Sequence, residues 1–83
     1  MSENALLVRV RQIVATTFET PFDEISPESS YTSIEKWDSM GHLMLILEVE
    51  QEFNVQFSPE QAESMTSVAD IVKFLKDAHS PKL

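Results

Sequence analysis

The sequence predicts an all-α fold in which three longer helices and one short helix form a four-helix bundle, with a long loop between the first two helices. In three stretches the apolar residues recur every three or four positions, which is the period of a helix with one buried face. No stretch alternates apolar and polar residues over the length of a strand, and no Asn-Gly or Asp-Gly pair marks a hairpin. With 83 residues, the chain is expected to be a single domain spanning residues 1–83.

The first helix is expected over residues 3–18. Ser2 or Asn4 can cap its N-terminus, since a short polar side chain accepts a hydrogen bond from the free backbone N–H groups of the first turn. Pro21 ends the helix, because the residue before a proline is pushed out of the α region. The predicted buried stripe consists of Leu6, Val10, Ile13, Val14 and Thr17.

Residues 19–37 are expected to form the long loop, because they are rich in proline, serine, threonine and aspartate. A loop longer than about 12–15 residues in a compact domain is usually functional or else disordered. Apolar residues scattered through this one favour the first alternative, since they can fix the loop onto the core. The expected anchors are Phe22, Ile25, Tyr31, Ile34 and Trp37.

The central helix is expected over residues 39–53. Asp38 is its expected N-cap, because a carboxylate accepts from the free N–H groups and favours the positive end of the helix dipole. His42 is expected to face the solvent. So much of the helix circumference is apolar that we expect neighbours on several sides. The predicted apolar face consists of Leu43, Ile46, Leu47, Val49 and Phe53, widened by Met40 and Met44.

A short helix and a last helix complete the bundle. The short helix is expected over residues 58–64, where Ser58 is the N-cap and Gln61 completes a capping box. Ser67 is the expected N-cap of the last helix, and Ser80-Pro81 ends it. The predicted buried stripe of the last helix consists of Val68, Ile71, Val72, Leu75 and Ala78.

The composition excludes several classes of function. Fourteen acids against six bases give a net charge of −8, which argues against nucleic acid and against anionic membrane surfaces. There is no cysteine, the single glycine cannot form a phosphate-binding loop, and the two histidines lack metal-binding spacing. No apolar run is long enough for a membrane span. We therefore expect no catalytic residues, no metal site and no membrane insertion.

The acidity is concentrated in the middle of the chain. Residues 19–70 hold twelve of the fourteen acids and only one base, Lys36, so their net charge is −11. These residues include the long loop, the central helix and the short helix. We therefore expect protein partners with basic docking patches on this part of the molecule.

The start of the central helix contains the sequence motif that indicates a function. A serine in the first helical turn, directly after an acidic cap, lies at the positive end of the helix dipole, where a phosphate is well tolerated. The segment Asp38-Ser39-Met40, together with the blocks around it, resembles the attachment region of the acyl carrier protein family. The blocks that share the resemblance are residues 24–29, 43–48, 52–55, 57–61 and 65–72.

The resemblance implies that Ser39 is esterified with 4′-phosphopantetheine, taken from coenzyme A by a magnesium-dependent phosphopantetheinyl transferase, and that Asp38 belongs to the recognised motif. The thiol of this arm carries acyl groups as thioesters between acyl-loading and acyl-transfer enzymes. Ser39 is then an attachment point and not a catalytic nucleophile. The resemblance further implies a discrete, monomeric, cytoplasmic carrier of fatty acid, polyketide or related specialised biosynthesis.

The residues after the serine depart from the family pattern. Met40 stands where leucine is most common, and Gly41 and Met44 stand where fatty-acid carriers usually place acids. We therefore expect partner enzymes to recognise other acids and the adaptable methionine side chains. The candidate partner-binding residues are Glu35, Met40, Met44, Glu48, Glu60 and Glu63.

Two alternatives remain open at the level of sequence. An aminoacyl or peptidyl carrier would use the same attachment chemistry with a different cargo. An unmodified acidic helical adaptor would account for the charge and the fold, although it gives no reason for a serine at this position.

Overall fold

The computed structural model describes residues 2–79, which form four α-helices and one 3-10 turn. The elements are α1 (Glu3–Thr17), the 3-10 turn (Phe22–Glu24), α2 (Ser39–Phe53), α3 (Pro59–Ser64) and α4 (Val68–His79). These residues contain no strand, only an isolated bridge between Ser30 and Ser67. The prediction of an all-α fold with three longer helices and one short helix is confirmed. Ser80-Pro81, the predicted end of the last helix, lies outside the described residues, and so does the side chain of Ala78, which was predicted for its buried stripe.

Short polar side chains set the helix starts as predicted. Ser2, and not Asn4, caps α1 by accepting a hydrogen bond from the Ala5 N–H at 3.1 Å. Ser58 and its partner Gln61 form a complete capping box at α3. At α4 the Ser67 hydroxyl accepts from the Asp70 N–H at 3.2 Å. Because these interactions lie within four residues of one another, the local sequence is sufficient to place them.

The core lies where α1 packs against α4 and α2. Four of the five residues predicted for the α1 stripe are buried, while Thr17 is only half-buried at its end. Met65, between α3 and α4, is fully enclosed. The remaining fully or almost fully buried apolar residues include Leu45, Ile46, Val49 and Phe53 from α2 and Val68, Ile71, Val72 and Leu75 from α4. Within residues 2–79, no helix is both long enough and apolar enough to cross a bilayer.

Four of the seven residues predicted for the apolar face of α2 are not buried. Met40, Leu43, Met44 and Leu47 are exposed, so the expectation of neighbours on several sides is wrong, and Leu45 is the buried leucine of this helix. Residues 43–47 form an unbroken apolar run, so apolar side chains cover more than half of the helix circumference there. Their spacing alone cannot decide which side meets α1, and packing against α1 selects the side of Leu45 and Val49.

The long loop is anchored on the core, as predicted, but not by every expected residue. Ile25, Ile34 and Trp37 are buried, whereas Tyr31 is 57% exposed and anchors nothing. Backbone hydrogen bonds also join the loop to the start of α4, where the Val68 N–H donates to the Ser29 carbonyl at 2.9 Å. The loop therefore has a defined course before it reaches α2.

Arg11 of α1 holds the first half of this loop. Its Nε donates to the carbonyl oxygen of Ile25 at 2.6 Å, and its guanidinium lies 4.1 Å from the centroid of the Phe22 ring. The 3-10 turn at Phe22–Glu24, which was not predicted, forms between these two contacts.

Candidate functional site

The first turn of α2 presents Ser39 at the beginning of the helix. Asp38 has an extended backbone and caps the helix, since its Oδ1 accepts from the Gly41 N–H at 2.8 Å. The Asp38 carbonyl accepts the first helical hydrogen bond, from the His42 N–H at 2.7 Å. Ser39 is therefore the first helical residue, where unpaired N–H groups and the helix dipole favour a negatively charged group.

The Ser39 side chain is exposed and forms no hydrogen bond within the part of the chain that the structure describes. A nucleophilic serine would need a general base within hydrogen-bond reach. The described residues also contain no group of three or more His, Asp or Glu side chains that could hold a metal ion. The described residues around Ser39 therefore lack the hydrogen-bonded base that a nucleophilic serine requires.

Gly41 allows the loop to approach α2 closely. A Cβ atom at this position would collide with the carbonyl oxygen of Lys36, lie 2.7 Å from the Phe18 ring and lie 3.3 Å from Asp38 Oδ1. The chain before the helix thus passes directly over the position where any other residue would carry a side chain. This contact accounts for the absence of an acid two residues after Ser39.

Trp37 anchors the segment that leads into the site. Its side chain is 2% exposed and stacks on Phe18, with 5.4 Å between the ring centroids. Its other neighbour is His42, whose ring lies nearly parallel to the indole at 6.2 Å. The expectation that Trp37 is a loop anchor is confirmed.

His42 connects three elements, and the expectation that it faces solvent is wrong. Its Nδ1 accepts a hydrogen bond from the Trp37 indole Nε1–H at 2.9 Å, and its Nε2 lies 2.6 Å from the carbonyl oxygen of Ala62 in α3. Because Nδ1 is an acceptor, the hydrogen-bond network assigns the ring proton to Nε2, which donates to Ala62. The half-buried imidazole thereby joins α2 to the loop and to α3.

A groove of ≈ 580 Å³ opens beside Ser39. It lies between the end of the loop, the first turn of α2 and the end of α3. Its walls combine aromatic faces with carboxylates and hydroxyl groups, so they suit a flexible chain that has both apolar and polar parts. The lining residues are Tyr31, Trp37, Asp38, Ser39, His42, Glu63 and Thr66.

An exposed apolar stripe runs along α2 from the site. It consists of Met40, Leu43, Met44 and Leu47, which are 73%, 61%, 54% and 51% exposed. Single exposed apolar residues are common, but these four follow the i, i+3, i+4, i+7 spacing of one helix face. A contiguous apolar surface of this kind is typical of a protein-binding site.

The predicted acidic partner residues do not form one cluster. Glu48 follows the apolar stripe on α2, Glu60 is exposed in the first turn of α3, and Glu63 lines the groove beside Ser39. Glu35 lines a separate cavity on the loop, together with Glu19 and Lys36. All four predicted acids are exposed, but the groove brings only Glu63 close to Ser39.

Lys36, the only base between residues 19 and 70, already has a carboxylate partner. Its Nζ lies 3.0 Å from Glu19 Oε1, and this hydrogen bond together with the ammonium charge holds the pKa of the Glu19 carboxyl below its ordinary value. Both side chains are largely exposed, so the pair contributes little to stability. Residues 19–70 therefore contain no further Lys or Arg that could pair with the other acids around the site.

Comparison with known proteins identifies the family. The sequence model described as "Phosphopantetheine attachment site" matches residues 8–75, which is most of the chain. The protein belongs to this family. It is similar to the acyl carrier protein of Thermosynechococcus vestitus, with 30% identity over 77 residues that cover 93% of this chain and 95% of that one. It is also similar to the acyl carrier protein of Helicobacter pylori, with 29% identity over 88% of this chain and 94% of that one.

A solved structure of the acyl carrier protein from Enterococcus faecalis has the same fold. The TM-score is 0.73, with 25% sequence identity, and the alignment covers 93% of this chain and 98% of that one. Together these relationships show that the protein is a carrier and not a catalyst, and that its prosthetic group is a phosphopantetheine held on a serine. Its family implies interaction with a phosphopantetheinyl transferase and with enzymes that handle acyl groups.

The site was predicted in part. Asp38 and Ser39 take the positions expected of a cap and of an exposed first helical residue. The role of His42 was missed, because its partner Ala62 is twenty residues away in the sequence. The sequence did hold one signal for these contacts of His42. This residue lies one helical turn after Ser39, and an indole donor lies five residues before it.

Proposed function

We propose that the protein carries 4′-phosphopantetheine on Ser39 and delivers acyl thioesters to partner enzymes of fatty acid, polyketide or related specialised biosynthesis. The observation that carries this proposal is the exposed, unpaired Ser39 hydroxyl at the first helical residue, behind the Asp38 cap and beside an open groove. When attached, the group supplies a thiol that holds acyl cargo. The residues around Ser39 leave space for the arm and do not need to perform chemistry.

The proposed loading reaction uses groups that this chain and coenzyme A supply. The Ser39 oxygen forms a bond to the β-phosphorus of coenzyme A, and the pyrophosphate P–O bond breaks, so that adenosine 3′,5′-bisphosphate leaves. The serine proton passes to a base of the transferase, since no base is hydrogen-bonded to Ser39 within the described residues. The unpaired N–H groups of the first turn of α2 favour the phosphodiester charge that remains on Ser39.

Intact mass spectrometry tests the attachment. After incubation with coenzyme A, magnesium and a broad-specificity phosphopantetheinyl transferase, we expect the wild type to gain the mass of one arm and Ser39→Ala to gain none. Ser64→Ala is the matched control, because Ser64 is another exposed serine, at the end of α3. A wild type without an adduct would instead favour the unmodified adaptor, and an adduct retained in Ser39→Ala would place the group on another residue.

We further propose that partner enzymes dock on the apolar stripe of α2, with acidic groups around it. Met40 and Met44 are the members of the stripe that were predicted as partner contacts, and Glu48 follows them on the same helix. The excess of acids between residues 19 and 70 supports partners that carry basic groups around an apolar centre. Glu60 and Glu63 add acidic groups on α3, apart from Glu48.

Steady-state kinetics with the transferase test this docking surface. We expect Met44→Ser to raise the KM for the carrier roughly fivefold with little change in kcat, since losing an apolar interface contact of about 1 kcal/mol weakens binding by that factor. Val8→Ser is the matched control, because Val8 is an exposed apolar residue on α1 and does not line the cavity that α1 forms with Met44 and Leu47. Equal KM values for the two variants would contradict docking on α2.

We propose that the carrier works as a single monomeric domain in the cytoplasm. The loading reaction requires coenzyme A and its transferase, which are found inside the cell. The choice between acyl and aminoacyl cargo depends on the enzyme that loads the thiol, and the attachment at Ser39 serves both.

A further inference from the structure

We propose that His42 is a positioning residue for the loading of Ser39, and that it acts only as the neutral imidazole. This inference rests on the attachment proposed above. It starts from the position of the ring, which joins the three elements that form the groove beside Ser39: the end of the loop through Trp37, α2 through its own backbone, and α3 through Ala62.

Both nitrogens of the ring are used, and each has a different role. Nδ1 accepts from the Trp37 indole at 2.9 Å, and Nε2 donates to the Ala62 carbonyl at 2.6 Å. An indole N–H can only donate and a carbonyl can only accept, so neither partner can exchange roles. The neutral imidazole satisfies both at once.

Protonation of the His42 ring would break one of these two hydrogen bonds. The imidazolium has two N–H groups, so Nδ1–H would point at the Trp37 N–H and that hydrogen bond would be lost. Trp37 directly precedes Asp38, whose side chain caps the helix that begins at Ser39. Release of the indole therefore loosens the segment that holds the start of α2 in place.

The groups around the ring favour a movement toward the groove when it is charged. Tyr31 from the loop, Asp38 from the cap and Glu63 from α3 line the same groove as His42. The two carboxylates offer anionic partners to an imidazolium that has turned away from Trp37.

This proposal predicts a spectroscopic transition in the unmodified protein. Trp37 is the only tryptophan, and its indole stacks on the His42 ring, so loss of the indole–imidazole hydrogen bond on acidification should change its fluorescence. We expect the transition to disappear in His42→Gln, whose amide donates and accepts at every pH. His79→Gln, which removes the other histidine of the sequence, is the matched control and should retain it.

The same protonation should control loading. We expect the wild type to be modified about tenfold faster than His42→Ala in alkaline buffer, and this ratio to fall toward one as the buffer is made more acidic. The ratio cancels the pH dependence of the transferase itself. His42→Gln should recover part of the lost loading rate, and its rate relative to that of His42→Ala should not fall as the pH is lowered. Circular dichroism checks that each variant is folded.

The outcomes separate this inference from the proposed attachment. A fluorescence transition that persists in His42→Gln would overturn it, and so would a loading ratio that does not depend on pH. If the transition occurs as expected but no adduct forms at any pH, the attachment at Ser39 fails and the loading role of His42 fails with it.

Discussion

Gly41→Asp is expected to destabilise the protein by about 2 kcal/mol or more, because the new side chain has no space. Its Cβ would collide with the carbonyl oxygen of Lys36 and lie 2.7 Å from the ring of Phe18. A backbone carbonyl cannot rotate away as the end of a flexible side chain can, and the Phe18 ring is itself buried. The new carboxylate would also repel Asp38, whose Oδ1 lies 3.3 Å from the Cβ position.

Helix propensity does not offset this clash. Replacing a glycine inside a helix usually stabilises it by up to about 1 kcal/mol, and aspartate gains less than alanine does. The overpacking cost of about 1–3 kcal/mol is therefore the larger effect. Gly41→Ala should lie between the wild type and Gly41→Asp, since it has the same Cβ, a better helix propensity and no charge.

Met44→Asp is the matched control for this substitution. It introduces the same acid into the same helix, three residues further along and on the exposed apolar stripe. We expect a change within about 1 kcal/mol, mainly from the lower helix propensity of aspartate and mild repulsion from Glu48 one turn away. Urea denaturation followed by circular dichroism gives the free energy of unfolding for each variant. Equal stability of Gly41→Asp and Met44→Asp would show that the loop can move away from α2.

This comparison bears on partner recognition. Gly41 and Met44 occupy the two positions where the resemblance leads one to expect acids, and the structure gives the two departures different causes. The glycine is required by the close approach of the loop, whereas Met44 stands where an acid would fit. Only the second position can accept an acidic side chain without a clash.

Features that depend on neighbouring residues could be predicted from the sequence. Asp38 and Ser58 form hydrogen bonds to backbone N–H groups three residues away, so the starts of α2 and α3 follow from local chemistry. The position of Ser39 at the first helical residue follows from the same cap. The anchoring of Trp37 also followed from its character as a large apolar residue in a polar loop.

Features that depend on distant residues could not be predicted in this way. The carbonyl of Ala62 becomes a partner of His42 only once α3 is folded against α2, and nothing in either local sequence indicates it. Arg11 likewise meets Phe22 and Ile25 only after the loop has turned back onto α1. The sequence did not predict which leucine of α2 is buried for a related reason. In an all-apolar run, packing against α1 determines which side of the helix joins the core.

Leu45→Ala is expected to destabilise the protein by about 2–5 kcal/mol, because it removes a fully buried side chain and leaves a cavity in the core. Small domains are stable by only about 5–15 kcal/mol, so this loss is a large share of the total. The effect should appear as a lower midpoint of urea denaturation, with little change in the slope of the transition.

Leu43→Ala is the matched control, since it makes the same substitution two residues earlier, where the leucine is 61% exposed. We expect its stability to remain within about 0.5 kcal/mol of the wild type. Similar losses in the two variants would mean that α2 is rotated from the orientation described. Because Leu43 belongs to the apolar stripe beside Ser39, a stable Leu43→Ala that is loaded more slowly would report contact with the transferase, whereas slower loading of Leu45→Ala would follow from unfolding.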